Sequence, residues 1–187
     1  GIEGYIVPDP LEKDNRNYHI IIIPTTNQAR KKVNLITSRA NIDGYYYKPR
    51  IFPEDLLALN KEDVYITTAC VAGLLRDDDS YNKIFLPLAK HFEDHMLLEV
   101  QTHNVNIQKD INKKCVELSE KMGLRLIAAN DSHYIYPDQY KDRIEYLKGK
   151  GINYGDEDSF ILDYPDREAM AERFKTQGIL SDKEIIE

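Results

Sequence analysis

The sequence predicts an α/β fold built on a largely parallel sheet, and three observations predict it. Five apolar segments of strand length punctuate the chain: IEGYIV (2–7), YHIIIIP (18–24), VYITTA (64–69), MLLEVQ (96–101) and RLIAAN (125–130). The second is apolar almost without alternation, as in strands covered on both faces. Helix-like stretches separate the segments, and strand alternating with helix is the pattern of an open doubly wound sheet or a closed barrel. In either architecture the C-terminal ends of the parallel strands share one face, where sites collect.

The helical elements follow from their caps and stripes. Residues 27–41 take Asn27 as cap and place Val33, Ile36 and Ala40 on one apolar stripe. Residues 104–122 take Asn104 as cap, with Val105, Ile107, Ile111, Cys115, Val116 and Leu118 inward and Gly123 as the stop. Pro53-Glu54-Asp55 reads as a first helical turn, its acids near the positive end of the dipole. Residues 80–93 form a further helix that Pro87 kinks or delays. From Tyr136 the chain turns polar, with KGKGINYGDEDS (148–159) as an excursion and Arg167 to Lys175 as a closing helix. The expected organisation is one domain, with 1–135 as its βα part and 136–187 as its closing segment.

Composition narrows the function. The net charge of −7 argues against a stand-alone nucleic-acid binder. Residues 28–50 run the other way, with Arg30, Lys31, Lys32, Arg39, Lys48 and Arg50 against Asp43, either a local basic surface or a solvated helix face. YYYKPRIF (45–52) offers Lys48 and Arg50 to phosphate, or packs as a Tyr-rich surface beside the sheet. Cys70 and Cys115 lie outside any CxxC pattern, so reduced thiols are expected. No apolar run approaches membrane-span length and no leader pattern opens the chain, so a cytoplasmic protein with no membrane partner is expected. The opening Gly-Ile-Glu reads as a piece of something longer. Gly-rich nucleotide cradles and the GxSxG elbow are missing from the sequence.

The chemistry-bearing residues sit at strand ends. Asp131 and His133 follow RLIAAN at i, i+2, one side of an extended chain, and a carboxylate with an imidazole suits Zn, Mn or Fe. A turn cap is the competing reading. Glu3 lies in the first segment, His19 in the most apolar run and Cys70 directly after VYITTA. Taken singly, His19 reads as a core histidine and Cys70 as a small hydrophobe. Glu99, Gln101 and His103 alternate in LEVQTH, and a charge inside an apolar strand requires a partner. A barrel lets such positions converge.

GIEGYIVP, YHIIIIPTTNQARKKVNLITSRANIDGYYYKPRI, TTACVAG, LEVQTH and AANDSHY resemble, in order and spacing, the PHP (polymerase and histidinol phosphatase) domain of bacterial replicative DNA polymerase III alpha subunits. FILDYPDREAMAERF is similar to that family's exit from the domain. The resemblance implies a seven-stranded βα barrel whose strand ends hold up to three divalent metal ions, Zn, Mn or Fe. It points to Glu3, His19, Cys70, Asp131 and His133 as ligands, and less firmly to His103. The family's first two strands, with an HxH motif and an Asp/His pair, lie upstream of GIE. The expectation is therefore a fragment with a partial site, inactive alone.

Three functions compete. The first is a metal-dependent phosphoesterase module in a DNA-directed DNA polymerase, for 3′–5′ proofreading or pyrophosphate hydrolysis. Its partners would be the remaining polymerase polypeptide, DNA reached through it, and a proofreading or clamp subunit. The second is a structural and interaction module, and the third a small-molecule phosphatase of the same superfamily.

Overall fold

Alternation along the strands assigns the two faces of the sheet. The computed structural model describes residues 1–14, 16–152 and 160–186. Among these, seven strands run β1 (Ile2–Ile6), β2 (Tyr18–Pro24), β3 (Tyr45–Tyr46), β4 (Lys48–Ile51), β5 (Val64–Thr67), β6 (Met96–Gln101) and β7 (Arg125–Ala129). They form one sheet in the order β3-β4-β1-β2-β5-β6-β7, with two-residue β3 as a short appendage. β1 is thus an interior strand. Contacts divide the chain into two compact units, Gly1–Glu99 with Glu117–Ile127 and Val100–Val116 with Ala128–Glu187.

The sheet is mixed rather than mainly parallel. β2 runs antiparallel to both β1 and β5, while β1–β4 and β5–β6 are parallel. The connection from β1 to β2, residues 7–17, is shorter than the roughly dozen residues a parallel crossover needs. Nor is β2 covered on both sides. Tyr18, Ile20 and Ile22 are fully buried, whereas Ile23 is 39 % exposed and His19 and Ile21 are half-buried. Four consecutive isoleucines conceal a period of two that the fold imposes.

Cross-strand partners share a face. Gly4 with Ile20, Ile22 with Ile66, and Ile66 with Met96 build the apolar face. Helix α1 (Asn27–Ile42) packs on β2 and β4 with Ala29, Val33, Ile36 and Ala40 buried. Each larger side chain so buried contributes about 1.5–3 kcal/mol. The opposite face carries Glu3, Tyr5, His19, Ile21, Tyr65 and Thr67 through the pairs Glu3–Ile21, Tyr5–His19, Ile21–Thr67 and Ile23–Tyr65. That face holds the ionisable residues.

The β3–β4 hairpin lies in the segment read as an aromatic-basic cluster. Tyr47 turns it at φ 58°, and a Cβ on Gly44 would stand 2.2 Å from the Arg50 carbonyl oxygen. Thr26, not Asn27, caps α1 by accepting from the Ala29 N–H at 3.0 Å. α2 (Pro53–Leu57) has Pro53 in its first turn, as expected. The next helical run is α3 (Asp78–Ser80), a π turn (Tyr81–Phe85) and α4 (Leu86–Phe92). Pro87 lacks an N–H, and the wider turn just before it, closed by Leu86 N–H to Tyr81 O, absorbs the mismatch.

α5 (Asn106–Met122) ends at Gly123, φ 71°. Its buried positions are Gln108, Asn112, Cys115 and Leu118, while Ile107 is 55 % exposed, against expectation. α6 (Tyr140–Gly149) occupies part of the segment read as an excursion, and residues 153–159 of KGKGINYGDEDS lie outside the described residues. α7 (Arg167–Gln177) is capped by Asp166 and stopped by left-handed Gly178, and α8 (Asp182–Ile186) follows. Among the described residues no helix is long and apolar enough to cross a membrane.

Candidate metal centre

Three of the six candidate ligands meet in the first unit. The loop after β5 doubles back tightly: Ala69 adopts φ 57°, Gly73 N–H donates to Cys70 O at 2.8 Å, and Leu74 N–H to Thr68 O at 3.1 Å. A Cβ on Gly73 would stand 1.9 Å from the Thr68 carbonyl oxygen, so this turn requires glycine. His19 N–H donates to Ala72 O at 3.0 Å, tying the loop to β2. Cys70 Sγ thereby reaches 3.5 Å from His19 Nδ1, and Glu3 Oε1 from β1 lies 2.8 Å from the same nitrogen.

Both partners meet one ring nitrogen. A nucleophilic relay needs thiol and acid on opposite nitrogens, so this is not a Cys-His-acid triad. It is a sulfur, a nitrogen and an oxygen donor gathered from three segments, a donor set that suits Zn, Mn or Fe. Cys70 and Glu3 both favour the imidazolium and, against partial burial, raise the His19 pKa to about 10. A metal must therefore displace a proton here. The Tyr5 ring meets His19 edge-on at 5.2 Å. His19 is thus not a core histidine: its ring faces the polar side of the sheet.

The other three candidates belong to the second unit. β7 ends at Ala129, and Asp131 turns left-handed at φ 50°, so Asp131 and His133 do not continue an extended strand. They are joined through the backbone instead, with His133 Nδ1 at 2.6 Å from Asp131 O. A carbonyl acceptor fixes the proton on Nδ1 and leaves Nε2 as the lone-pair donor, the tautomer a metal-binding imidazole needs. Both side chains are exposed.

His103 is the opposite case. It is 1 % exposed, and neither ring nitrogen makes a well-aligned hydrogen bond among the described residues, although the Ile161 backbone lies close enough to favour its charged form. Burial first, then the Arg173 charge, pushes its pKa down to about 4, so the ring is neutral at pH 7. A neutral, buried imidazole is a fitting metal ligand. β6 stops at Gln101, which breaks the expected alternation before His103. Glu99 has its partner: Thr67 Oγ1 donates to it at 2.6 Å.

Lys48 and Arg50 separate sharply. Arg50 is 2 % exposed and donates to the carbonyl oxygens of Pro10, Glu12, Asp14 and Gly44, a structural clamp buried away from any phosphate in solution. Lys48 is exposed, its ammonium 5.2 Å from the Tyr5 ring centre. Sequence reasoning passed over Asp163 and Arg173, which pair through two hydrogen bonds of 2.6 and 2.7 Å. The acid of FILDYP was the available signal. Among the described residues, no set of three or more His, Cys, Asp or Glu side chains is closed into a metal-binding geometry. The donor types fit a divalent ion; in this structure Glu3, His19 and Cys70 are bonded to one another and His133 to the backbone.

A fold of mixed strands and helices with such donors at its strand ends has counterparts. The family model described as PHP domain matches residues 1–103, more than half the chain. The chain belongs to the PHP domain family. Its curated relatives include the DNA polymerase III subunit alpha of Borreliella burgdorferi, 32% identical over 177 residues, covering 87% of this chain and 15% of that protein. The same subunit of Aquifex aeolicus is 31% identical over 131 residues, 67% of this chain and 11% of that protein. That of Helicobacter pylori is 26% identical over 160 residues, 75% and 13% respectively. The chain therefore spans only a small part of each relative's length.

Proposed function

We propose that this chain is the PHP portion of a replicative DNA polymerase III alpha polypeptide. In this reading Glu3, His19 and Cys70 in the first unit and Asp131, His133 and His103 in the second are metal ligands, and the activity they serve is phosphoester hydrolysis, in 3′–5′ proofreading or pyrophosphate hydrolysis. The sheet then belongs to a βα barrel of the PHP type, with 136–187 as its closing segment. The polypeptide is cytoplasmic. Its partners are the remaining polymerase, DNA, and a proofreading or clamp subunit.

One observation carries the reading: Glu3, His19 and Cys70, from two strands and a loop, converge on a single imidazole nitrogen. A bound divalent ion supplies Lewis acidity to a phosphoryl oxygen and a lower pKa to its water. The chain's own residues do the rest. Glu3 and Cys70 hold the His19 ring, the Asp131 carbonyl fixes the His133 tautomer, and exposed Lys48 attracts the anionic substrate to the same sheet face. The test is manganese- or zinc-stimulated phosphodiester hydrolysis by the intact parent. Asp131→Ala or His133→Ala should abolish it, and unchanged activity would refute the proposal.

The structural-module reading has its own observation, the absence of a closed metal geometry among the described residues. A parent that binds no metal yet loses stability on deletion of this region would select it.

A further inference from the structure

The segment after α6 makes a dense set of polar contacts with the residues around His133 and His103, all inside the second unit. Residues 161–164 lie along 130–135 as a strap. His133 N–H donates to Leu162 O at 2.7 Å, and Tyr134 N–H to the same oxygen at 3.3 Å. Tyr164 N–H donates to Ile135 O at 3.2 Å. Asn130 Nδ2 and Ser132 Oγ both donate to Asp163 O, at 2.8 and 2.6 Å. The ligand-bearing turn is thus bonded on both sides of Asp131.

The strap is in turn held by α7. Arg173 grips Asp163 with two parallel bonds of 2.6 and 2.7 Å, and the Asp163 side chain is 4 % exposed. One turn further on, Gln177 donates to His103 O at 2.7 Å and to Gln101 O at 3.1 Å. Its own Oε1 accepts from Asn112 at 2.6 Å. Residues i and i+4 share a helix face. That face of α7 therefore touches the strap through Arg173 and the backbone of His103 through Gln177.

We infer that α7 is the positioning helix of the second unit's ligands: Arg173, through Asp163 and the strap, sets the turn of Asp131 and His133, and Gln177 sets His103. The inference rests on the proposed metal reading for what those ligands do. The placement itself rests on the contacts alone. A bidentate guanidinium–carboxylate pair fixes direction as well as distance, which a lysine in the same place does not.

The test is amide hydrogen exchange in the full chain, with zinc affinity measured by competition alongside. Arg173→Gln should speed exchange at His133 and Tyr134 about 30-fold, because the strap then opens locally. Ile20 and Leu98 in the first unit should keep their rates. Arg173→Lys should recover part of the protection, and Ser132→Ala, which spares the fold, should speed His133 about threefold. Zinc affinity should fall about tenfold or more in Arg173→Gln, in step with the lost protection. Unchanged exchange at His133, or an equal rise at every amide, would overturn the inference. Wild-type chain that takes up no zinc would contradict the metal reading instead, and the exchange pattern would still decide this one.

Discussion

The two units hold their candidate ligands by different means. In the first, Glu3 and His19 stand on paired strands and Cys70 on a loop closed by Gly73, so the regular backbone does the placing. In the second, Asp131, His133 and His103 lie beyond the ends of β7 and β6, and hydrogen bonds to distant segments, the 162–163 backbone and the Gln177 side chain, place them. Ladder-built sites resist single side-chain changes away from the ligands, except at a turn such as that of Gly73, which has no room for a side chain. Network-built sites do not, because a half-satisfied buried network costs more than none.

The largest test of that contrast is Asp163→Ala. It strands Arg173 beside a buried gap and should cost about 3–5 kcal/mol by urea denaturation, the range for breaking a buried pair. Gly73→Ala is the counterpart in the first unit. Its new Cβ, 1.9 Å from the Thr68 oxygen, forces backbone movement and should cost about 2–3 kcal/mol. The same variant should separate Cys70 from His19, read as a fall in the His19 pKa by NMR titration.

The two histidines predict opposite pH dependences. The folded pKa of His19 is raised to about 10, so its contribution is full below the unfolded value near 6.5 and is lost as pH climbs through 10. The folded pKa of His103 is lowered to about 4, so the unfolded chain takes up its proton first. Stability therefore drops as pH falls from about 6.5 towards 4. Urea midpoints across pH 4–10, repeated in His19→Gln and His103→Gln, should flatten the alkaline and acid limbs respectively. The smallest effect is Thr26→Ala, which removes the α1 cap and should cost about 1 kcal/mol.

All five expected strands are present, because apolar runs bounded by turn residues are short-range signals. Strand direction was not legible. Direction depends on connection length and pairing, and four isoleucines in a row look alike whether one face is covered or both. The π turn before Pro87 and the exposed side of Ile107 likewise reflect tertiary packing that propensity does not encode. Among site residues, Glu3, His19 and Cys70 were visible as metal-ligand types near strand positions, and the structure joins them. Arg50 was misleading, since a guanidinium aimed at backbone carbonyls leaves no mark in the sequence. The pairing of Asp163 and Arg173 was hidden for the same reason: Asp163 meets Ser132 31 positions earlier, and Arg173 acts only through Asp163, 10 positions earlier.

The most direct measurement is metal stoichiometry of the purified chain by mass spectrometry, in wild type, Glu3→Ala/His19→Ala and Asp131→Ala/His133→Ala. The account predicts bound zinc, manganese or iron in wild type and a loss in both double variants. Wild type without metal, or the same metal content in all three, would contradict it.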